Sequence, residues 1–595
     1  MAEPFDLAVI GAGPAGGAAA LEAVARGLSV VLIDEQQAAG GQVWRASSPS
    51  ILEAPATPEG RAGDALRQAL AAAGGGALGG PGGPGSSPGQ RDEEGETAPP
   101  HRPGPRAGAS TAEEERSQAA PGTGGSEDQA PKERWNAADT IPPARQHRIA
   151  PDPLGSARSP LKHLTGAFAG RGSPPQAGAM RPPSGRARSS GQVSSIGLTH
   201  WTGHRVWSVL RDDDLWVLRT SHAGGLGQVE ARALVLATGA LERTVPVPGW
   251  TLPGVIGLAA TTALLKEHWV LPGRRVVVAG CGPLLPYVAQ AVLRGGGQVA
   301  AVADLNGLAD WARAAGPVFS RPDLALRGAG WVARLLGAGV PVLRRTGVRA
   351  VEGSEAVEAV RLGPVGPDWA PIPGPERVIE ADALCLGHGL RPATEATRML
   401  GARHVWDPPE GGWRPEVDTV GRTSVPFLYA TGDGAGIQGA AAAPLRGQAA
   451  AVAVAEDLGR AGAGGPAPSA IQRAARFGRA MTALTVPRPG LLAQITPETV
   501  VCRCEGLTRA RIEAEIAGGA TRPGALKSGT RAGMGPCGGR YCADVTEMLA
   551  AALTGRPRAE IGQGSGRPPL RPLPLAPVAE GFDYADLPMP APAPL

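Results

Sequence analysis

Apolar positions open the chain as a nearly unbroken run, Phe5–Ile10, followed by Gly11-Ala12-Gly13-Pro14-Ala15-Gly16, an alanine-rich stretch and a second apolar run, Leu28–Ile33. Short apolar runs bounded by glycine predict buried strands, so residues 5–45 read as strand, tight turn, helix, strand. Alternation over Trp201–Leu218 around Asp212-Asp213-Asp214 predicts a hairpin leading into a buried strand, Ala233–Leu236. The opening order then repeats over Arg275–Leu293, with a strand Val276–Ala279 and a turn Gly280-Cys281-Gly282-Pro283. Strand-like segments Val340–Leu343, Val348–Val351 and Ala383–Leu386 are expected to complete that second sheet. Phe427–Ala430 begins a further strand that enters Gly432-Asp433-Gly434, and beyond Gln448 the chain reads as helix, then loops.

Two strand–turn–helix starts predict an α/β fold with two Rossmann-like dinucleotide-binding domains, one nested in the other. From Gly74 to Ser195 the composition collapses into Gly, Pro, Ser, Ala and charge, which predicts a long disordered insertion. The expected plan is a first domain in three parts, 1–73, 196–252 and 396–460, interrupted by the 74–195 insertion and by a second dinucleotide-binding-like domain at 253–395. A linker and helix at 461–495, a cysteine module at 496–555 and an extended proline-rich tail at 556–595 follow. The chain has 58 basic and 54 acidic residues, for a net charge of +4. Such a balance implies neither a nucleic-acid partner nor an anionic membrane. No apolar run reaches the roughly 18–20 residues that cross a bilayer, so no membrane insertion is expected. Met1–Pro4 leaves no room for a signal peptide. Six cysteines are too few for a disulfide scaffold in a chain of 595 residues, and a cytoplasmic location is expected.

In the first turn Gly11 makes the tight bend, Gly13 admits a pyrophosphate, and Gly16 lets the helix approach the strand. The helix N-terminus, starting at Pro14 and Ala15, offers free N–H groups to the anion. An acid at the end of the second strand binds ribose hydroxyls, and Asp34 and Glu35 both occupy that place; spacing does not choose between them. In the second turn Gly280 and Gly282 are present, but Leu285 stands where the third glycine would be. A second nucleotide there, NAD(P) or ATP, is therefore the weaker expectation. Asp304 at the end of the next strand reads either as a ribose ligand or as a solvated strand end. Four cysteines cluster as Cys502-Arg503-Cys504 and then Cys537 and Cys542. Thiolates in two close pairs suit zinc or an iron–sulfur centre, and the glycine-rich loop around Cys537, whose bare amides can hydrogen-bond to inorganic sulfide, favours iron–sulfur. Cys281 and Cys385 read as small buried residues, and His200, His204 and His388 as structural ones. No catalytic residue for substrate chemistry stands out by spacing.

The runs LVLATGA (Leu234–Ala240) and LYATGDG (Leu428–Gly434) resemble those of the two-dinucleotide-domain flavoprotein reductases. That resemblance implies FAD, with Thr238 and Gly239 in the pocket. It also places Gly432 and Asp433 beside the ribityl chain and Gly41-Gln42 near the isoalloxazine ring; the alternative for Asp433 is a helix cap. VCRCEG (Val501–Gly506) with TRAGMGPCGGRYC (Thr530–Cys542) resembles the bacterioferritin-associated-ferredoxin-type [2Fe–2S] domain. The whole order is similar to the alpha subunits of opine oxidases, of amino-acid and hydroxyproline dehydrogenases and of hydrogen cyanide synthase. The resemblance implies a partner B subunit that oxidises an amine or amino acid on its own FAD, with electrons passing onward to an acceptor. Two other readings stay open: a self-contained NAD(P)H-dependent reductase, and a non-catalytic scaffold with structural zinc.

Overall fold

The computed structural model describes residues 3–47, 57–74, 197–460 and 464–579. All of the predicted 74–195 insertion except Gly74 lies outside the described residues, as do 580–595 of the tail.

The first sheet has seven strands. Phe5–Ile10 pairs in parallel with Ser29–Ile33 on one side and with the long strand Gly225–Leu236 on the other. Ser29–Ile33 also pairs with Gly197–Trp201. Trp201 thus ends a parallel strand and does not open the hairpin, which is formed by Arg205–Asp212 and Leu215–His222. Gly225–Leu236 is shared lengthwise: its first half carries the antiparallel hairpin and its last three residues pair with Leu428–Ala430. Parallel strands covered on both faces should be uniformly apolar, and Phe5–Ile10 is buried along nearly its whole length. One cover is the helix Pro14–Ala25, packed on the helix Ala443–Asp457. A Cβ on Gly447 would lie 2.0 Å from the Ala15 carbonyl oxygen, so the alanine and glycine content of both helices is what lets their backbones touch.

The second unit is a five-stranded parallel sheet in the order Val342–Arg344, Gln298–Asp304, Arg275–Gly280, Ala383–Gly387, Val255–Gly257. The segment expected to join it at Val348–Val351 instead forms a separate antiparallel meander with Ala359–Pro364 and Arg377–Glu380. The second unit is nested: the chain leaves the first through Ala240–Glu242 and returns through Leu390–Pro392, which pair as a two-stranded crossing.

The cysteine module is built from the helices Arg509–Ala517, Pro523–Thr530 and Ala543–Thr554. Its core is continuous with that of the second unit, since Val245, Cys281, Leu305 and Trp369 pack in one cluster with Leu491, Ile512, Val545 and Leu549. A shared core makes the module an integral part of the body. Among the described residues no helix is long and apolar enough to cross a membrane.

Candidate functional site

The first strand delivers the chain to Gly11 at φ +99°, where a Cβ would meet the Ala237 carbonyl oxygen at 2.5 Å. That conformation is open to glycine and strained for other residues. A Cβ on Gly16 would lie 1.8 Å from the Gly11 oxygen, so this glycine sets helix against turn and stays outside the cavity. Gly41 closes on Gly13 from the other side, at φ +58°. No side chain caps the helix Pro14–Ala25, so its first N–H groups remain available to an anion.

These elements border a cavity of about 1360 Å³, lined by Gly11, Gly13, Pro14, Ala15, Asp34, Glu35, Gly41, Gln42, Thr238, Gly239, Gly432 and Asp433. Ordinary small-molecule pockets run to roughly 1,000 Å³, so a dinucleotide fits here. The two ATG runs meet at its floor, where a Cβ on Gly434 would lie 2.9 Å from Thr238 Oγ1. Both end adjacent parallel strands, the place where such sheets bind ligands.

The structure separates the two candidate acids. Asp34 Oδ2 accepts from the Ala12 amide at 2.5 Å and Oδ1 from the Gln36 amide at 2.7 Å, so it braces the turn. Burial raises its pKa, and those amides pull the other way. Glu35 faces the cavity, with its carboxylate 3.4 Å from Arg205 and 4.0 Å from Arg571. Asp433 Oδ1 accepts from the amides of Gln438 and Gly439, at 3.1 and 3.2 Å. It does not cap the following helix, whose N-cap is Ala442. Gln42 is held by Arg45, which donates to Gln42 Oε1 at 2.8 Å and to Gln36 Oε1 at 2.6 Å.

Glu242 lines the same cavity and accepts from the Ala259 amide at 3.0 Å. Burial pushes its pKa up to about 7 against the pull of the Ala259, Leu258 and Ala260 amides. Its folded pKa lies above its unfolded value, so the cost of ionising it is absent below about pH 4.3 and complete above about pH 7. Glu242→Gln, which keeps an oxygen for Ala259, is therefore expected to raise Tm at pH 8 and to leave it unchanged at pH 4. Thermal melts at the two pH values check this.

The second turn is arranged differently. A Cβ on Gly280 would strike the Gly387 carbonyl oxygen at 1.8 Å, while one on Gly282 would lie 2.4 Å from Thr485 Cγ2 and one on Gly389 2.4 Å from Thr485 Cβ. Thr485 thus sits over the glycine that would admit a pyrophosphate, and neither Gly280 nor Gly282 reaches the cavity. Leu285 is buried in the core between helix and sheet. Asp304 is not a solvated strand end: it is buried and accepts from Trp311 Nε1, Arg344 Nη1 and the Asn306 amide, each at 2.9 Å.

The four cysteines fall into two pairs, Cys502 with Cys542 and Cys504 with Cys537. Cys502 and Cys542 are buried and Cys504 is exposed. The hydrogen bond from Cys542 brings the Cys502 thiol down to about 6, helped by the Gly533, Glu505 and Cys504 amides aimed at its sulfur. A Cβ on Gly535 would lie 2.2 Å from Cys504 Cβ, so glycine is required for the loop to close there. Among the described residues no three His, Cys, Asp or Glu side chains are close enough to hold one metal ion. Two dithiolate pairs suit a centre of two irons, each taking two thiolates, better than the four-ligand tetrahedron of structural zinc. Cys281 and Cys385 are buried, and burial pushes the Cys385 thiol up to about 12, so both are inert.

One residue joins the two sites. Arg243 is fully buried and donates to Asp544 Oδ2 at 2.9 Å, to the Thr485 carbonyl at 3.2 Å and to the Gly411 carbonyl at 2.8 Å. It follows the cavity-lining pair Leu241-Glu242, and Asp544 is two residues beyond Cys542. Nearby, Trp250 Nε1 donates to the Val500 carbonyl at 2.6 Å and Arg391 to the Arg540 carbonyl at 2.9 Å. Nothing in the sequence singles out Arg243, although it lies inside the run ATGALERTVPVPGW.

A family model for pyridine nucleotide-disulphide oxidoreductases matches residues 5–457. The chain belongs to that family. A second model, for the BFD-like [2Fe–2S] binding domain, matches residues 500–551. This member of the family is an FAD-dependent oxidoreductase with a [2Fe–2S] cluster, and the cavity and the paired thiols fit both groups. The opine oxidase alpha chain of Rhizobium meliloti is 37% identical over 397 residues, covering 63% of this chain and 72% of that one. Hydrogen cyanide synthase subunit HcnB of Pseudomonas protegens is 33% identical over 359 residues, covering 59% and 75%. A crystal structure of L-proline dehydrogenase from P. horikoshii shares the fold at TM-score 0.57 and 17% identity, over 97% of this chain and 80% of that one.

Proposed function

We propose that the chain is the alpha-type component of an amine-oxidising flavoenzyme. It receives reducing equivalents from an amino-acid- or opine-type amine oxidised on a partner flavoprotein, the B subunit, and delivers them to a separate acceptor. FAD, when bound, accepts electrons in pairs and releases them singly, and the [2Fe–2S] cluster carries them one at a time. Gly11, Gly13 and the open amides at Pro14–Ala15 receive the pyrophosphate, and Glu35 receives the adenosine ribose. Gly432-Asp433 and Thr238-Gly239 flank the ribityl chain, and Gly41-Gln42 adjoins the ring. Cys502, Cys504, Cys537 and Cys542 ligate the cluster.

The observation that carries the reading is Thr485 seated over Gly282, with Asp304 bound up by Trp311, Arg344 and Asn306. A reductase needs that seat for its nicotinamide nucleotide, so its obstruction speaks for entry of electrons from a partner, as the names of the relatives also suggest. Anaerobic stopped-flow mixing tests it. NADH or NADPH is expected to leave the flavin absorbance unchanged, and prompt bleaching would instead make the chain a self-contained reductase. Colourless protein containing zinc and no acid-labile sulfide would support the scaffold.

The glycine turn offers a further check. Gly11→Ala is expected to give protein that retains no flavin through gel filtration, because the added Cβ collides with the Ala237 backbone. Flavin absorbance per chain is the readout.

A further inference from the structure

Residues 564–579 lie beyond both family matches, yet the first part of this tail returns to the flavin cavity. After the helix Arg558–Ile561 the chain crosses the helix Glu395–Met399, where Arg398 donates to the Gly564 carbonyl. A Cβ on Gly566 would lie 2.9 Å from both the Glu395 oxygen and the Met399 nitrogen, so the backbones are in contact. The Leu570 amide then donates to the Trp207 carbonyl at 2.7 Å, tying the tail to the hairpin of the first sheet. Arg540, from the loop between Cys537 and Cys542, donates to the Leu570 carbonyl at 2.9 Å and to Glu395 Oε2 at 2.7 Å. Arg571 donates to Glu395 Oε2 at 3.0 Å and stands 4.0 Å from Glu35. Leu570 and Arg571 line the cavity together with Glu35, His204 and Val206.

We infer that residues 564–571 form a strap that completes the adenosine end of the FAD site, with Leu570 as an apolar wall and Arg571 holding Glu35 in place. The inference rests on the reading of Glu35 as the ribose ligand. Glu35 lies between two guanidinium groups, Arg205 on the hairpin and Arg571 on the strap, so its carboxylate is fixed while acceptor sites remain for ribose hydroxyls. Arg571 is itself a positioning residue, oriented by Glu395. The strap also ties the flavin pocket to the cluster loop, because Arg540 donates to it from between two cluster ligands.

The test measures FAD affinity by fluorescence titration of the deflavinated full-length chain, with ADP-ribose and FMN as probes for the two ends of the cofactor. Arg571→Ala is expected to weaken FAD and ADP-ribose alike by about tenfold and to leave FMN unchanged, since the lost charged contact is worth about one decade in affinity. Arg571→Lys restores most of that loss. A chain stopped after Gln563 loses at least as much, whereas one stopped after Ala579 matches the intact chain. Exposed Arg567→Ala is the neutral control. Iron and acid-labile sulfide stay constant in the point variants, which shows that the module remains folded. FAD and ADP-ribose affinities within about twofold of the intact chain for Arg571→Ala would overturn the strap, since twofold is well under the tenfold expected. Glu35→Gln with unchanged ADP-ribose affinity would instead overturn the ribose assignment beneath it, and an intact chain that binds no FAD would refute the flavin site itself.

Discussion

Arg243→Ala is expected to destabilise the docked iron–sulfur module by about 3–5 kcal/mol, because removing one partner of a buried ion pair leaves a buried charge and orphaned acceptors behind. Arg243 is fully buried and serves three acceptors from three segments: Asp544 of the module, Thr485 of the linker and Gly411 of the first domain. Arg558 still reaches Asp544 at 2.6 Å, so the carboxylate keeps one guanidinium, while the two carbonyls lose theirs. The comparison is Arg403→Ala, whose bridge to Glu416 at 2.9 Å lies on the surface; its loss is expected to cost less than about 1 kcal/mol. Denaturant titration followed by cluster absorbance reads the module directly. Equal midpoints for the two variants would contradict the role given to Arg243.

Cys502→Ser and Cys542→Ser are each expected to abolish the cluster while FAD stays bound. These two ligands are the buried pair, set under the Gly533 amide. Serine is a poor donor to iron, whereas thiolate is the preferred ligand of such clusters. The cavity that takes the flavin is lined by none of the four cysteines, so flavin content is expected to remain at one per chain. Chemical assay of iron and acid-labile sulfide beside flavin absorbance separates the outcomes. Parallel loss of flavin and sulfide would mean that the two sites fold as one.

Local chemistry is legible in the sequence, and long-range pairing is not. The glycine turn at Gly11–Gly16, the two ATG runs and the four cysteines can be read because their geometry depends on residues close in sequence or on strand ends that repeat a pattern. Asp34 and Glu35 are adjacent, and only the observed bonds to the Ala12 and Gln36 amides assign one to bracing and the other to the cavity. The Arg243–Asp544 pair spans 301 positions, and no periodicity encodes it. Thr485 likewise fills the second turn from a linker that reads as an ordinary helix end. The meander strand Thr346–Glu352 departs from the expected second sheet because an apolar run reports burial without naming its neighbour. The helix Pro58–Ala73 is absent from the expected plan, although Thr57, which accepts from the Gly60 amide, and Pro58 mark its start.

The central claim is that one chain holds a flavin and a two-iron cluster in electronic contact across the junction at Arg243. Anaerobic photoreduction of the purified holoprotein, followed together by flavin absorbance and low-temperature EPR, tests it most directly. The account predicts that the EPR signal of a reduced [2Fe–2S] cluster grows as electrons enter through the flavin, and that the signal is absent in Cys502→Ser. A flavin that bleaches fully while a chemically intact cluster stays oxidised would contradict it.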